Sequence, residues 1–205
     1  MRVLSAEHRM HPWVIDQIAP DFTLLDVWAL PVEGARDDFE RFVHISTRFD
    51  PASGGSKPSR ALFALRARMG RWLGWDDAPN TRPIPCYTET TLSARLPEYL
   101  RDSVAVQSAA NTHGFVPIYR TDTEYAAELS NATVHGVLQL TWVEYQTDRY
   151  HGRLAVYVKP RGLFGSTYLM LISPFRHLVV YPALTRQIGR AWNARRPVGA
   201  ETFHR

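Results

Sequence analysis

The chain has 205 residues, a formal net charge of +4, 45% apolar and 21% charged residues, and one cysteine. Those figures describe a globular chain long enough to bury a full core, in one domain or at most two, and they exclude a disordered polypeptide. The lone thiol, Cys86, excludes an internal disulfide framework and a multi-cysteine metal site. The basicity rests on 22 arginines against two lysines, Lys57 and Lys159. A surface selected for phosphate contact draws on both types, because lysine serves well as a point charge, so no nucleic-acid partner is expected.

The first twenty residues lack the apolar stretch of about 7–15 residues that a signal peptide needs. No window approaches 18 uninterrupted apolar residues, so no membrane span is expected and a cytoplasmic location follows by default. Residues 1–20 read as a mobile N-terminal tail carrying His8 and His11. A single domain is expected over 21–196, followed by a short tail over 197–205.

Residues 21–31, DFTLLDVWALP, read as a strand that ends at the proline. Next, DDFERFVHISTRF places Phe39, Phe42, Val43 and Phe49 on one helical stripe, with Asp37 and Asp38 where a cap and first-turn acids belong. A Gly/Ser/Pro-rich connection over 50–59 leads to a second helix pattern over 59–75, with Leu62, Leu65, Met69, Trp72 and Leu73 on its apolar face. Residues 76–114 show the least periodicity; they read as a long surface excursion that could form a lid on the cavity, with a short helix near 96–100 and a strand near 87–92.

From Val116 the pattern becomes sheet-like. VPIYR, EYAAELSN, TVHGVLQLTWVEY, YHGRLAVYVKP and STYLMLI are short β-prone runs separated by turns near Thr121, Ala132, Asp148 and Gly162, which implies an antiparallel meander. Val134, Leu138, Leu140 and Trp142 share one parity, as do Leu154, Val156 and Val158. The end of the chain reads as a helix with Tyr181, Leu184, Ile188 and Trp192 on one face. Pro182 fits best in the first turn of a helix that begins near Val180. The order is strand, two helices, long loop, strands and long helix. It predicts an α+β fold of the helix-grip kind, in which a curved antiparallel sheet wraps the last helix and leaves a cavity.

The words PIYRTDTEYAAELSNATVHGVLQLTWV, LAVYVKP and SPFRHLVVYPALTRQIGRAW, with DVWALP and ALFALRARMGRWLGWD upstream, resemble an uncharacterised bacterial family, a domain of unknown function. Its element order is similar to that of the START, polyketide-cyclase and plant pathogenesis-related allergen superfamily (SRPBCC). That resemblance implies a cavity for a hydrophobic or amphipathic small molecule, and in a minority of members cyclisation or dehydration. The family domain also resembles the C-terminal piece of larger proteins that carry an NAD-binding domain, which implies a separately encoded oxidoreductase as a possible partner. This chain has no strand followed by G-x-G-x-x-G, so no dinucleotide cofactor is expected.

Without H-E-x-x-H or a tight His/carboxylate set, the eight histidines give no metal site. GLFGSTY lacks the G-x-S-x-G elbow, and GGSK lacks the order of a phosphate loop. The sequon at Asn131 means nothing without a secretory signal. The stronger candidates are polar groups set in apolar strands: Glu128 and His135 on adjacent strands, and Tyr119, Tyr157 and Tyr168. In a cavity they would orient a mostly apolar ligand, or act as general base and acid. Against this, Glu128 could face solvent and His135 could bond a neighbouring carbonyl. Arg176 and His177, in SPFRH, could meet a ligand carboxylate or phosphate, or tie sheet to helix. Arg60, Arg66, Arg68, Arg71, Arg186, Arg190, Arg195 and Arg196 read as solvated helix faces.

Overall fold

The computed structural model describes residues 1–48, 91–105, 115–130, 134–162, 167, 169, 170 and 173–194, with the backbone alone at 102–105, 175 and 179. The expected helix over 59–75, Cys86, Tyr168, Arg195 and Arg196 lie outside the described residues.

Among the described residues the sheet has five strands: β1 (Thr23–Gly34), β2 (Val116–Arg120), β3 (Glu124–Ser130), β4 (Val134–Gln146) and β5 (Arg149–Pro160). Their spatial order is β1-β5-β4-β3-β2, all neighbours antiparallel. Consecutive strands β2 to β5 form the expected meander, and β1 returns to lie beside β5. The β4–β5 hairpin turns through Asp148 at φ 56°, a left-handed position that aspartate tolerates better than most residues.

β1 does not stop at Pro31. It runs to Gly34, and the pairing with β5 shifts register between Ala29 and Glu33. A proline has no N–H to give to a ladder, and an irregular stretch at the sheet edge is where that omission does least harm. The run STYLMLI is not a strand at its described residues, since Thr167, Leu169 and Met170 are helical. Of the strand expected near 87–92, residues 87–90 lie outside the described residues; at Leu92 a 3-10 turn (Leu92–Arg95) begins, which leads to the short helix found close to its expected place.

Among the described residues the sheet is framed by α1 (Ser5–His8), α2 (Val14–Ile18), α3 (Phe39–Thr47), α4 (Glu98–Ala105), the single turn α5 (Ser173–Phe175) and α6 (Tyr181–Ala194). Between α5 and α6 the chain makes a π-helical segment, Arg176–Val180. The last helix therefore does not begin afresh near Val180; helical backbone enters it from Ser173. In an unbroken α-helix the ring of Pro182 would meet the carbonyl four residues back, Leu178, and a π turn just before it makes room for the proline.

β4 is buried on both faces from Val134 to Val143, apart from partial exposure at Gly136 and Leu138, so the sheet is covered on two sides. One face carries α3 and α6. Leu30, Val32, Phe39, Phe42, Tyr125, Leu140, Trp142, Leu154, Tyr181, Ile188 and Trp192 form its core, matching the expected stripe of α6. Two glycines set how near the layers come. A Cβ at Gly152 would lie 2.4 Å from Val32 Cγ2 and 2.8 Å from Phe42 Cζ, and one at Gly189 would lie 2.7 Å from Pro31 Cγ. The other face is covered by residues 1–22 and the segment from Leu92 to Leu100. Val3, Trp13, Ile15, Ile18, Phe22, Leu92, Leu96 and Leu100 pack there against Leu24, Val27, Val137 and Ala155. The first twenty residues are thus not a mobile tail. Their apolar side chains at 13, 15 and 18 need a surface to bury against, and the second face of the sheet supplies it.

Candidate functional site

Among the described residues, buried polar side chains gather at two places, one on each face of the sheet. Beneath the N-terminal segment, Glu124, Glu128, His135, Gln139, Thr141 and Arg153 are each at most 5% exposed. Strand register puts them side by side: Glu124 opposite Thr141, Ser130 opposite His135, and Thr141 opposite Arg153.

Glu124 organises this layer. Its carboxylate accepts the backbone N–H of Val14 (2.8 Å) and Ile15 (3.2 Å), the Tyr119 hydroxyl (2.5 Å) and the Gln139 amide (2.7 Å). The two N–H groups belong to the first turn of α2, where an anion meets unpaired donors. Burial pushes the Glu124 carboxyl above its usual range, against four hydrogen bonds that favour the anion. Burial and the adjacent Glu124 raise Tyr119 well above an ordinary phenol. Because Gln139 must present its NH2 to Glu124, its carbonyl faces His8, whose Nε2 lies 2.9 Å away and donates. His8 is fully buried, and burial takes its pKa down to about 4, with the Gln139 hydrogen bond opposing and Arg153 adding to the fall. Tyr157 reaches Asp16 of α2 at 3.4 Å.

Glu128 and His135 do meet: Nε2 to Oε2 is 2.7 Å, at 1% and 3% exposure. The same carboxylate oxygen accepts the N–H of Leu92 at 3.0 Å, and Phe22 packs edge-on to the imidazole at 4.9 Å. Glu128 therefore faces neither solvent nor α6. Tyr119, Glu128, His135 and Tyr157, expected to line a space between the sheet and the last helix, lie on the opposite face. They fasten the N-terminal segment and the Leu92 turn to the sheet. The parity of β4 decides this: even positions up to Trp142 face α6, and the odd positions His135 and Gln139 face away.

The second cluster lies where β1 meets the π segment. Asp26, 1% exposed, accepts the Tyr181 hydroxyl at 2.9 Å and faces His177 Nε2 at 2.9 Å. Arg176 stands 3.4 Å from its second oxygen and Arg2 3.8 Å from its first. The other ring nitrogen of His177 sits 2.8 Å from the Ser173 carbonyl. Trp28 stacks on Tyr181 with ring centroids 4.8 Å apart. Burial, then the Asp26 charge, pushes the Tyr181 phenol far up, so it stays a donor. Two enclosed donors in this cluster, Trp28 Nε1 and Arg176 Nε, have no acceptor among the described residues. Sequence reasoning found Arg176 and His177 but passed over Asp26, although an ionisable residue inside LLDVWAL carries the same signal that singled out Glu128.

Among the described residues no group of three His, Cys, Asp or Glu side chains could hold a metal ion, and no helix is long and apolar enough to cross a membrane. Fold and clusters together define an α+β protein built on a curved antiparallel sheet with a helix laid across one face. Residues 18–183 match the family model described as a protein of unknown function (DUF2867), and the chain belongs to that family. Comparison with curated proteins and with solved structures gave no match.

Proposed function

We propose that this domain binds an amphipathic small molecule at the junction of β1, the π segment and α6. The observation that carries the reading is a shortage of acceptors around Asp26. One carboxylate faces a phenol, an imidazole and two guanidinium groups, while two further enclosed N–H groups remain without a partner among the described residues. Buried donors are nearly always satisfied, so a cluster of this kind points to a missing acceptor. The stacked rings of Trp28 and Tyr181 supply the apolar wall beside it.

The position differs from a cavity under the whole last helix. Toward the end of α6, Trp142 packs on Phe42 (5.4 Å), Trp192 (6.0 Å) and Tyr150 (6.3 Å), which fills that region with rings. We read the fold as a helix-grip variant. In support stand the strand order, with β1 closing beside β5, and α6 lying across one face. A cyclase or dehydratase using Glu128, His135 or a tyrosine is the weaker reading, because the Glu128 carboxylate already bonds a backbone N–H and Glu128, His135, Tyr119 and Tyr157 lie on the other face. An oxidoreductase partner rests on the family resemblance alone.

Native mass spectrometry of freshly purified protein tests the proposal. Wild type should carry a non-covalent adduct or take up an added twelve-carbon amphipath, and Trp28→Ala should hold less at unchanged secondary structure. Wild type that carries nothing and takes up nothing would end the reading.

A further inference from the structure

We infer that the polar end of this site reads an oxyanion, a carboxylate or a phosphate, through the guanidinium of Arg176; the inference rests on the binding role proposed above and names the headgroup class. The charge balance points that way. Asp26 is the one carboxylate that the described contacts place in the cluster, and Arg2 and Arg176 both stand within 4 Å of it. The described cluster therefore carries at least one positive charge in excess.

Hydrogen-bond geometry singles out Arg176 from the other donors. Tyr181 and His177 reach Asp26 at 2.9 Å, an ordinary hydrogen-bond length. Arg176 stands at longer range, 3.4 Å from Asp26 and 3.5 Å from the Leu169 carbonyl, and also meets the Tyr181 hydroxyl, while its Nε has no partner among the described residues. Its side chain is 14% exposed, so water replaces little of what these contacts fail to supply. A planar fork with an unpartnered Nε beside a terminal nitrogen held only at long range matches the two oxygens of a carboxylate or phosphate. His177, at 26% exposure, keeps the cluster open to solvent, and Leu178 beside it is 77% exposed. A headgroup arriving there lies next to an apolar side chain that has no cover among the described residues. Tyr181 and His177 act as positioning residues: by occupying Asp26 they keep its carboxylate from closing tightly on Arg176.

Calorimetric titration with dodecanoate, dodecyl phosphate and 1-dodecanol, each below its micelle concentration, tests this on wild type and on Arg176→Gln. The expected result is tighter binding of at least one anionic probe than of the alcohol, by roughly tenfold or more, lost in Arg176→Gln while alcohol binding stays. Preference between dodecanoate and dodecyl phosphate names the source of the oxyanion. If all three probes bind alike and Arg176→Gln changes nothing, the headgroup inference falls and the binding role stands. If none binds, both fall. Should Arg176→Gln not fold, Arg176→Lys keeps the charge without the fork, and the wild-type ratio of anion to alcohol decides on its own.

Discussion

Gln139 and Trp142 stand three residues apart on β4, on opposite faces of the sheet, at 0% and 1% exposure. Around Trp142 are rings: Phe39, Phe42, Tyr150 and Trp192, with its indole N–H donating to the Ala35 carbonyl at 2.9 Å. Around Gln139 are hydrogen-bonding partners: His8, Glu124 and, through Glu124, Tyr119 and the start of α2. Around Trp142 the first face is held by packing, which depends on shape and volume and hardly on pH. The second is held by polar groups that are stable only while each finds its partner and keeps its protonation state. One sheet thus joins the far end of α6 by dispersion and burial, and the N-terminal segment by apolar contacts together with a network in which a single change orphans several groups.

Truncation should separate the faces first. Trp142→Ala is expected to cost about 3–5 kcal/mol in urea unfolding, with little dependence on pH, because it opens a ring-sized hole in a close-packed layer. Glu124→Ala should cost about 3 kcal/mol, since four donors lose their acceptor at once. Hydrogen exchange should locate that loss in residues 1–20. If Glu124→Ala leaves exchange at Ile15 and Ile18 unchanged, the polar layer is not what fastens the segment.

His8 gives the pH test. Its folded pKa of about 4 lies below the unfolded value of 6.5, so in that window the unfolded chain binds the extra proton. Stability should therefore be full above about pH 6.5 and fall as pH drops toward 4. The loss should level off below that at about 3 kcal/mol, from the difference of the two values. Glu124 and Asp16, whose carboxyls burial raises, contribute with the opposite sign, so the difference between wild type and His8→Gln isolates the histidine. Equal acid sensitivity in both proteins would remove His8 from the account.

Gly189→Ala should cost about 1–3 kcal/mol, because the new methyl meets the Pro31 ring and forces α6 off β1. Tyr181→Phe is the smallest change, at about 1 kcal/mol by thermal unfolding, since it removes one hydrogen bond to Asp26 and leaves the stack on Trp28.

By itself the sequence determined the local periodicities. Period-two runs gave β2 to β5 and their hairpins, and the stripe Tyr181, Leu184, Ile188, Trp192 gave the packed face of α6, because these patterns express contacts within an element. The antiparallel meander and the α+β class followed from short turns and element order. What only tertiary structure decided was which cover lies on which face. Strand parity tells that His135 and Leu138 point opposite ways, yet it says nothing of what each side meets. The fate of residues 1–20 depended on the sheet having a second apolar face that needed covering, a property of the assembled sheet and of no single segment. Asp26 and Arg176 are 150 positions apart in the chain. Their meeting, and the acceptor shortage it leaves, exists only once the π segment sets the start of α6 against β1.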